Sequence, residues 1–311
     1  MRPLFRIIAP AILVGAAVLS SCRESEPEPE AAAPDTTPAR PVVDVTAVDY
    51  AFQAPDEIPS GWATFRMHNE GAEPHFLLLT RMPAGKTIED YGQDVGAVFD
   101  EVWKELRSGA IGKQEAGEKL GRLLPEWYLT SATAMGGPGL LAPGGTGETT
   151  VNLEPGYYIM ECYVKTAEGE FHAALGMVRP LIVTDSPSGE AAPEADTRVT
   201  LTNDAIDAPS TMTPGRHTIA VHFTEHLPYG LGNDVHLARL DGISADTLAR
   251  WMDWMDERGL AAPAPAPFLG GAEEGPAGTT AYFTVEVDPG RYAWVTETDP
   301  ARGMVQEVVV E

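Results

Sequence analysis

The chain repeats one pattern of strand and turn signals, and this repetition constrains its fold more than any other feature. Residues 151–158 read Val-Asn-Leu-Glu-Pro-Gly-Tyr-Tyr, and residues 285–292 read Val-Glu-Val-Asp-Pro-Gly-Arg-Tyr. A Gly-Met pair follows each copy, at Gly176 and again at Gly303. The Pro-Gly pairs predict turns between strands, because proline presets φ and glycine permits a positive φ. The repetition predicts two copies of one module.

The module is built from strands. Residues 62–69 and 216–224 alternate polar and apolar side chains, as half-buried strands do. A length of 311 residues also favours two domains. We therefore predict an all-β chain of two tandem β-sandwiches, each with a short helical insertion. The expected bounds are 42–185 for the first sandwich, 186–196 for a linker and 197–311 for the second.

Each copy carries helical signals between its middle strands. Residues 87–124 place apolar side chains, among them Val95, Val98 and Val102, on one face of a helix. In the second copy Ser244 can cap a helix that presents Leu248 and Trp251. These helices are expected to pack on the sandwiches.

The first forty residues are predicted to be a signal peptide followed by a tether. Residues 7–19 are apolar, follow Arg2 and Arg6, and are too few to span a bilayer, which is typical of a signal peptide. The run Leu-Ser-Ser-Cys that ends at Cys22 resembles a bacterial lipobox, which implies lipidation of Cys22. The resemblance also implies anchoring in the cell envelope, with Arg23 favouring the outer membrane. Residues 23–41 are rich in Glu, Pro and Ala and are expected to be a disordered tether.

Charge and cysteine content narrow the functional classes. The formal net charge is −25, which argues against nucleic acid as a partner because phosphate recognition needs a basic footprint. The chain has 2 Cys, so lipidation of Cys22 would leave Cys162 as a single thiol in an oxidising compartment. That thiol is then buried, metal-bound or reactive.

A short run around Cys162 contains residues that bind soft metals. Cys162 follows an aromatic-rich strand, His172 follows ten positions later, and Met177 five after that. Thiolate, imidazole and thioether, completed by a second His, are the ligands of a trigonal His₂Cys copper centre with a weak axial Met. His75 is the candidate for the second imidazole. The polar residues 165–170 between Cys162 and His172 are expected at the surface.

This spacing resembles the type 1 copper loop of cupredoxins over roughly residues 42–185. The resemblance implies two cupredoxin-like Greek-key β-sandwiches, with one copper held by His75, Cys162, His172 and Met177. It implies one-electron transfer or copper handling in the envelope, with a redox or copper-transfer protein as partner. The competing hypothesis is a metal-free lipoprotein of the same fold that serves as a binding or scaffolding module.

The second copy acts as an internal control. Alignment places Thr296 opposite Cys162 and Asn233 opposite His75, with His236 three positions away. The second copy is therefore expected to lack a type 1 site. Met304 persists there, so Met177 is a candidate axial ligand or, alternatively, a core thioether.

The sequence motifs do not support a catalytic function. Copper nitrite reductases need further His, where this chain has Glu161 and Thr80, and the His-x-His pairs of multicopper oxidases are absent. We therefore expect a chain that is not an enzyme.

Overall fold

Strands outnumber helices among the described residues, and the helices lie in two insertions. The computed structural model describes residues 40–225, 233–297 and 304–311. The predicted signal peptide, Cys22 and nearly all of the tether lie outside the described residues. Within the described part, no helix is both long and apolar enough to cross a membrane.

The first half holds eight strands and four α-helices. The strands are β1 (Val42–Val48), β2 (Ala51–Gln53), β3 (Glu57–Asn69), β4 (Leu78–Arg81), β5 (Thr133–Ala134), β6 (Thr146–Leu153), β7 (Gly156–Glu161) and β8 (Val178–Pro187). The helices are α1 (Ile88–Tyr91), α2 (Ala97–Arg107), α3 (Lys113–Leu123) and α4 (Glu126–Ser131), with a π-helical turn at Gly92–Gly96 between α1 and α2.

The second half has nine strands and one helix among its described residues. The strands are β9 (Thr197–Leu201), β10 (Ile206–Asp207), β11 (Thr211–Met212), β12 (Gly215–Phe223), β13 (Val235–Arg239), β14 (Phe268–Ala272), β15 (Thr280–Val287), β16 (Gly290–Val295) and β17 (Val305–Val310). Helix α5 (Ala245–Trp251) begins where predicted, since the Ser244 hydroxyl accepts a hydrogen bond from the Thr247 N–H at 3.2 Å.

The same strand pairings occur in both halves. Strand β3 lies parallel to β1 and antiparallel to β6, and β12 lies parallel to β9 and antiparallel to β15. The turns also match, because the hydroxyl of Tyr158 donates to the carbonyl of Glu154 at 2.7 Å and that of Tyr292 donates to the carbonyl of Asp288 at 2.8 Å. The predicted all-β class is confirmed.

Strand β3 changes its pairing partner partway along its length. Residues 57–60 pair with β8, whereas residues 61–68 pair with β6. The change of partner occurs at Gly61, whose φ of +95° is rarely adopted by other residues. In the second half the same positions are divided between β11 and β12, and Gly215 has a φ of +122°.

The two halves share one sheet. Strand β6 pairs with β15, with Phe283 opposite Thr149, so strands of both halves join into a twelve-stranded sheet. A five-stranded sheet, in the order β11-β17-β16-β13-β14, belongs to the second half alone. All of the described residues belong to one compact unit, and the predicted boundaries at 185 and 197 stay predictions.

The helical insertion of the first half covers the loop between Cys162 and His172. The indole N–H of Trp103 in α2 donates to the carbonyl of Gly169 at 2.7 Å, and its ring lies 5.2 Å from that of Phe171. The insertion thereby fixes the loop that carries the predicted metal ligands.

Candidate metal centre

Three of the four predicted ligands meet at one buried point. The Cys162 Sγ atom lies 3.8 Å from His75 Nδ1 and 3.7 Å from His172 Nδ1, and the two Nδ1 atoms are 3.2 Å apart. All three side chains are completely buried. Residues separated by up to 97 positions in sequence are thus brought together.

Backbone pairing sets each of the three residues in place. Cys162 directly follows β7. His75 exchanges two backbone hydrogen bonds with Leu141 just before β4, at 3.2 and 2.9 Å. The His172 N–H donates to the carbonyl of Val164 at 2.8 Å, which folds the loop back over Cys162.

The outer nitrogen of each imidazole is held by a carboxylate. His75 Nε2 lies 2.7 Å from Asp49 Oδ1, and His172 Nε2 lies 2.8 Å from Glu73 Oε2. An imidazole that donates from Nε2 to a carboxylate keeps the lone pair on Nδ1 for a metal. The sequence reasoning missed both carboxylates, although Glu73 stands two positions before His75 in the same loop.

Electrostatics favour neutral imidazoles at the site. Burial lowers the pKa of His75 below its usual value and lowers that of His172 to about 3. Burial also raises the pKa of the Cys162 thiol, so a metal ion must displace the thiol proton when it binds. The two carboxylates that bond the imidazoles remain partly exposed. The exposed fraction is 25% for the Asp49 side chain and 19% for the Glu73 side chain.

The donor atoms fit one metal ion. Two imidazole lone pairs that face each other at 3.2 Å repel unless a cation or proton lies between them. The centre of the circle through the three donor atoms lies about 2.1 Å from each, close to ordinary metal–nitrogen and metal–sulfur lengths. The group of His75, Cys162 and His172 could therefore bind one copper ion.

Met177 is buried beside the site, and its backbone supports Cys162. The Cys162 N–H donates to the Met177 carbonyl at 3.1 Å. In the second half the Thr296 N–H donates to the Met304 carbonyl at 3.3 Å, so the Gly-Met pair has a backbone role in both halves. An axial role for the Met177 thioether stays a prediction.

The loop after Cys162 differs from the prediction in one respect. Residues 165–170 were expected at the surface, but the side chain of Lys165 is completely buried and Thr166 is 4% exposed. The ammonium of Lys165 donates to the carbonyls of Trp254 and Asp256 at 2.8 and 2.6 Å, and it lies 4.2 Å from the centre of the Trp103 ring. The prediction holds for Ala167, Glu168 and Glu170, which are exposed. It was wrong for Lys165, because the groups that bind its ammonium come from distant segments.

Solved structures similar to this chain include several copper proteins. Auracyanin A from Chloroflexus aurantiacus is 20% identical, with 46% of this chain and 98% of that chain covered, at a TM-score of 0.28. Reduced auracyanin from Roseiflexus castenholzii is also 20% identical, over 46% and 96% of the two chains, at a TM-score of 0.25. A multicopper oxidase is 14% identical, over 87% and 88%, at a TM-score of 0.23.

Neither a family model nor a curated protein matches the chain. The chemistry of the site therefore carries the functional argument.

Proposed function

We propose that this chain binds one copper ion through His75, Cys162 and His172 and transfers single electrons without itself catalysing a reaction. The observation that carries the proposal is the convergence of a thiolate sulfur and two imidazole Nδ1 atoms, each imidazole held from behind by a carboxylate. A soft thiolate with two imidazoles is the ligand set of copper electron-transfer centres. Copper in such a site cycles between Cu(I) and Cu(II), so one electron enters or leaves at a time.

Burial of the ligands favours electron transfer over copper delivery. Handing a metal to another protein requires an exposed ligand that can exchange, whereas all three side chains here are completely buried. The carboxylates of Asp49 and Glu73 hold the imidazole rings in one orientation. A fixed set of ligands limits rearrangement when the charge of the metal changes.

The path for an electron from the metal site to the protein surface is short on the side of His172. Glu73 bonds the outer nitrogen of His172 and is partly exposed, and Leu175 in the following turn is 42% exposed. We propose that a redox protein docks on this side and exchanges electrons through His172. Anchoring to the envelope through Cys22 is part of the proposal and rests on the sequence of the signal segment.

The test is a copper titration of the purified chain and three variants. We expect about one Cu(II) per chain with an intense visible band from thiolate-to-copper charge transfer. Cys162→Ser should abolish the band, and His172→Ala should weaken copper binding by at least about tenfold. His217→Ala is the matched control, since His217 bonds Asp196 and the carbonyl of Thr213 outside the site.

Retention of stoichiometric copper by Cys162→Ser, with an unchanged spectrum, would refute the proposal. A protein that takes up no copper at all would support the metal-free binding module instead.

A further inference from the structure

A second group of buried ionisable residues lies in the half that lacks the copper ligands. It consists of Asp234, Glu273, Glu274 and Glu297, which we call the carboxylate cluster, together with His236. Asp234 precedes β13, the two adjacent glutamates follow β14, and Glu297 lies two residues beyond β16. Because β13 is antiparallel to both β14 and β16, the start of β13 and the ends of β14 and β16 lie side by side. All of these positions therefore fall at the same end of three neighbouring strands.

The cluster is removed from solvent. Asp234 is 2% exposed, Glu273 1%, Glu274 3% and Glu297 3%. Donor atoms of Asp234, His236 and Glu273 all lie within 4.8 Å of one another. Aspartate and glutamate are almost never fully buried unless a partner compensates their charge.

Two of these carboxylates have incomplete hydrogen bonding among the described residues. Asp234 is bonded on both oxygens, by His236 Nε2 at 2.6 Å and by the Glu297 N–H at 2.8 Å. Glu297 receives a hydrogen bond on Oε2 from the Tyr163 hydroxyl at 3.1 Å. The Oε1 atoms of Glu273 and Glu297 are buried and accept no hydrogen bond from any described residue. Unpartnered buried oxygens are costly, whether they are charged or neutral.

His236 supports the cluster as a donor. The Leu140 N–H donates to His236 Nδ1 at 3.0 Å, so the ring proton resides on Nε2. That proton points at Asp234, and Nε2 lies 4.0 Å from Glu273 Oε1, which is too far for a hydrogen bond. A ring held in this way orients Asp234, and the groups left to bind a cation are carboxylate oxygens.

The first half closes the cluster from the other side. The Gly136 N–H donates to the carbonyl of Glu274 at 2.7 Å, and the Glu273 N–H donates to the carbonyl of Gly137 at 3.0 Å. Tyr163, which donates to Glu297, directly follows Cys162 in the chain. The cluster is thus enclosed by segments of both halves.

We propose that the carboxylate cluster is a binding site for one hard divalent cation, held by oxygens of Asp234 and Glu273, which lie within 4.8 Å of one another, with Glu297 beside them as a third carboxylate. Oxygen-only donors select cations such as Mn²⁺, Ca²⁺ or Mg²⁺ over the soft metal suited to Cys162. A cation would compensate the buried negative charge and supply partners for the two unpartnered Oε1 atoms. The proposal does not depend on copper at the first site, since the two sites share no ligand.

The experiment uses Mn²⁺ as the probe with the full purified chain. Elemental analysis of the protein as isolated should give about one hard cation per chain. Refolding of the chain at increasing Mn²⁺ concentrations should also give about one bound Mn²⁺ per chain. Refolding ensures that the buried cluster is accessible. Glu273→Gln and Glu297→Gln should each weaken Mn²⁺ binding by at least about tenfold.

Two further variants show whether Mn²⁺ binds at the cluster rather than at surface acids or at the copper ligands. Glu286→Gln, at an exposed position of β15, should bind Mn²⁺ as the unmodified chain does. Cys162→Ser should also keep Mn²⁺ while losing copper. Far-ultraviolet circular dichroism checks that each variant is folded. Absence of Mn²⁺ after refolding, or equal binding by Glu273→Gln and Glu297→Gln, would overturn the proposal and show that protons neutralise the cluster.

Discussion

At the residue scale, the carboxylates that bond the outer nitrogens of the two imidazoles are as important to the candidate metal centre as the ligands themselves. Asp49 and Glu73 set which nitrogen of His75 and His172 faces the thiol. The sequence indicates Cys162 and His172 as candidate ligands because they stand at a recognisable spacing, and the axial role of Met177 stays a prediction. It does not indicate Asp49, since an aspartate after a strand is common and its contact with His75 depends on how the chain folds.

Gly71 offers a test of that outer contact. A Cβ atom at Gly71 would lie 2.6 Å from His75 Nε2 and would also meet the carboxylate of Asp49. Gly71→Ala should therefore separate Asp49 from His75 and weaken copper binding by about 10- to 100-fold. Isothermal titration with Cu(II) measures the change.

The matched control for that substitution is Gly117→Ala, because a Cβ at Gly117 in α3 meets nothing within 4 Å. Equal copper affinities for the two variants would show that the contact between Asp49 and His75 does not support the centre.

At the element scale, the loop from Cys162 to His172 is held by segments distant in sequence. Trp103 of α2 packs against Phe171, and residues after α5 accept the hydrogen bonds of Lys165. The sequence predicted the helical insertions and the N-cap at Ser244. It could not predict that a lysine in a polar loop is buried, because the carbonyl acceptors of Trp254 and Asp256 lie about ninety positions away.

Burial of Lys165 has a consequence for stability as a function of pH. Desolvation lowers the pKa of Lys165 to about 7, against the nearby acids Asp253, Asp256 and Glu297, while Lys113 adds to the lowering. Between pH 7 and the ordinary lysine pKa the unfolded chain binds more protons than the folded chain. The contribution of Lys165 to the free energy of unfolding should therefore rise with pH, by about 2–3 kcal/mol from pH 7 to 9.5.

The comparison with Lys165→Met isolates this effect. Denaturant unfolding of both proteins at pH 7 and 9.5 should show the original chain gaining stability relative to the variant as pH rises. A constant difference in unfolding free energy across this range would show that Lys165 stays protonated in the folded protein.

At the scale of the whole molecule, the repeat is visible in the sequence but the joining of its copies is not. Matching Pro-Gly turns predicted the two sets of strands. The pairing of β6 with β15 was not predicted, because edge strands of either copy carry no sequence signal for their neighbour. The carboxylate cluster was not predicted for a similar reason. Its residues are distant in sequence and come together only through the antiparallel pairing of β13 with β14 and β16.

The shared sheet predicts that the described chain unfolds as one unit. Besides the pairing of β6 with β15, the Thr149 hydroxyl of β6 donates to the carbonyl of Gly271 in β14 at 2.8 Å, which is a second link between the halves. Scanning calorimetry should show one transition in which the calorimetric and van't Hoff enthalpies agree. Two resolved transitions would show that the halves unfold independently.

The most direct test of the central claim is a redox titration of the copper-loaded protein followed by its visible absorption. A copper centre formed by His75, Cys162 and His172 predicts an intense charge-transfer band that one electron per chain bleaches completely and that reoxidation restores. A protein that stays colourless with Cu(II) bound, or that loses its metal on reduction, would contradict an electron-transfer centre at this site.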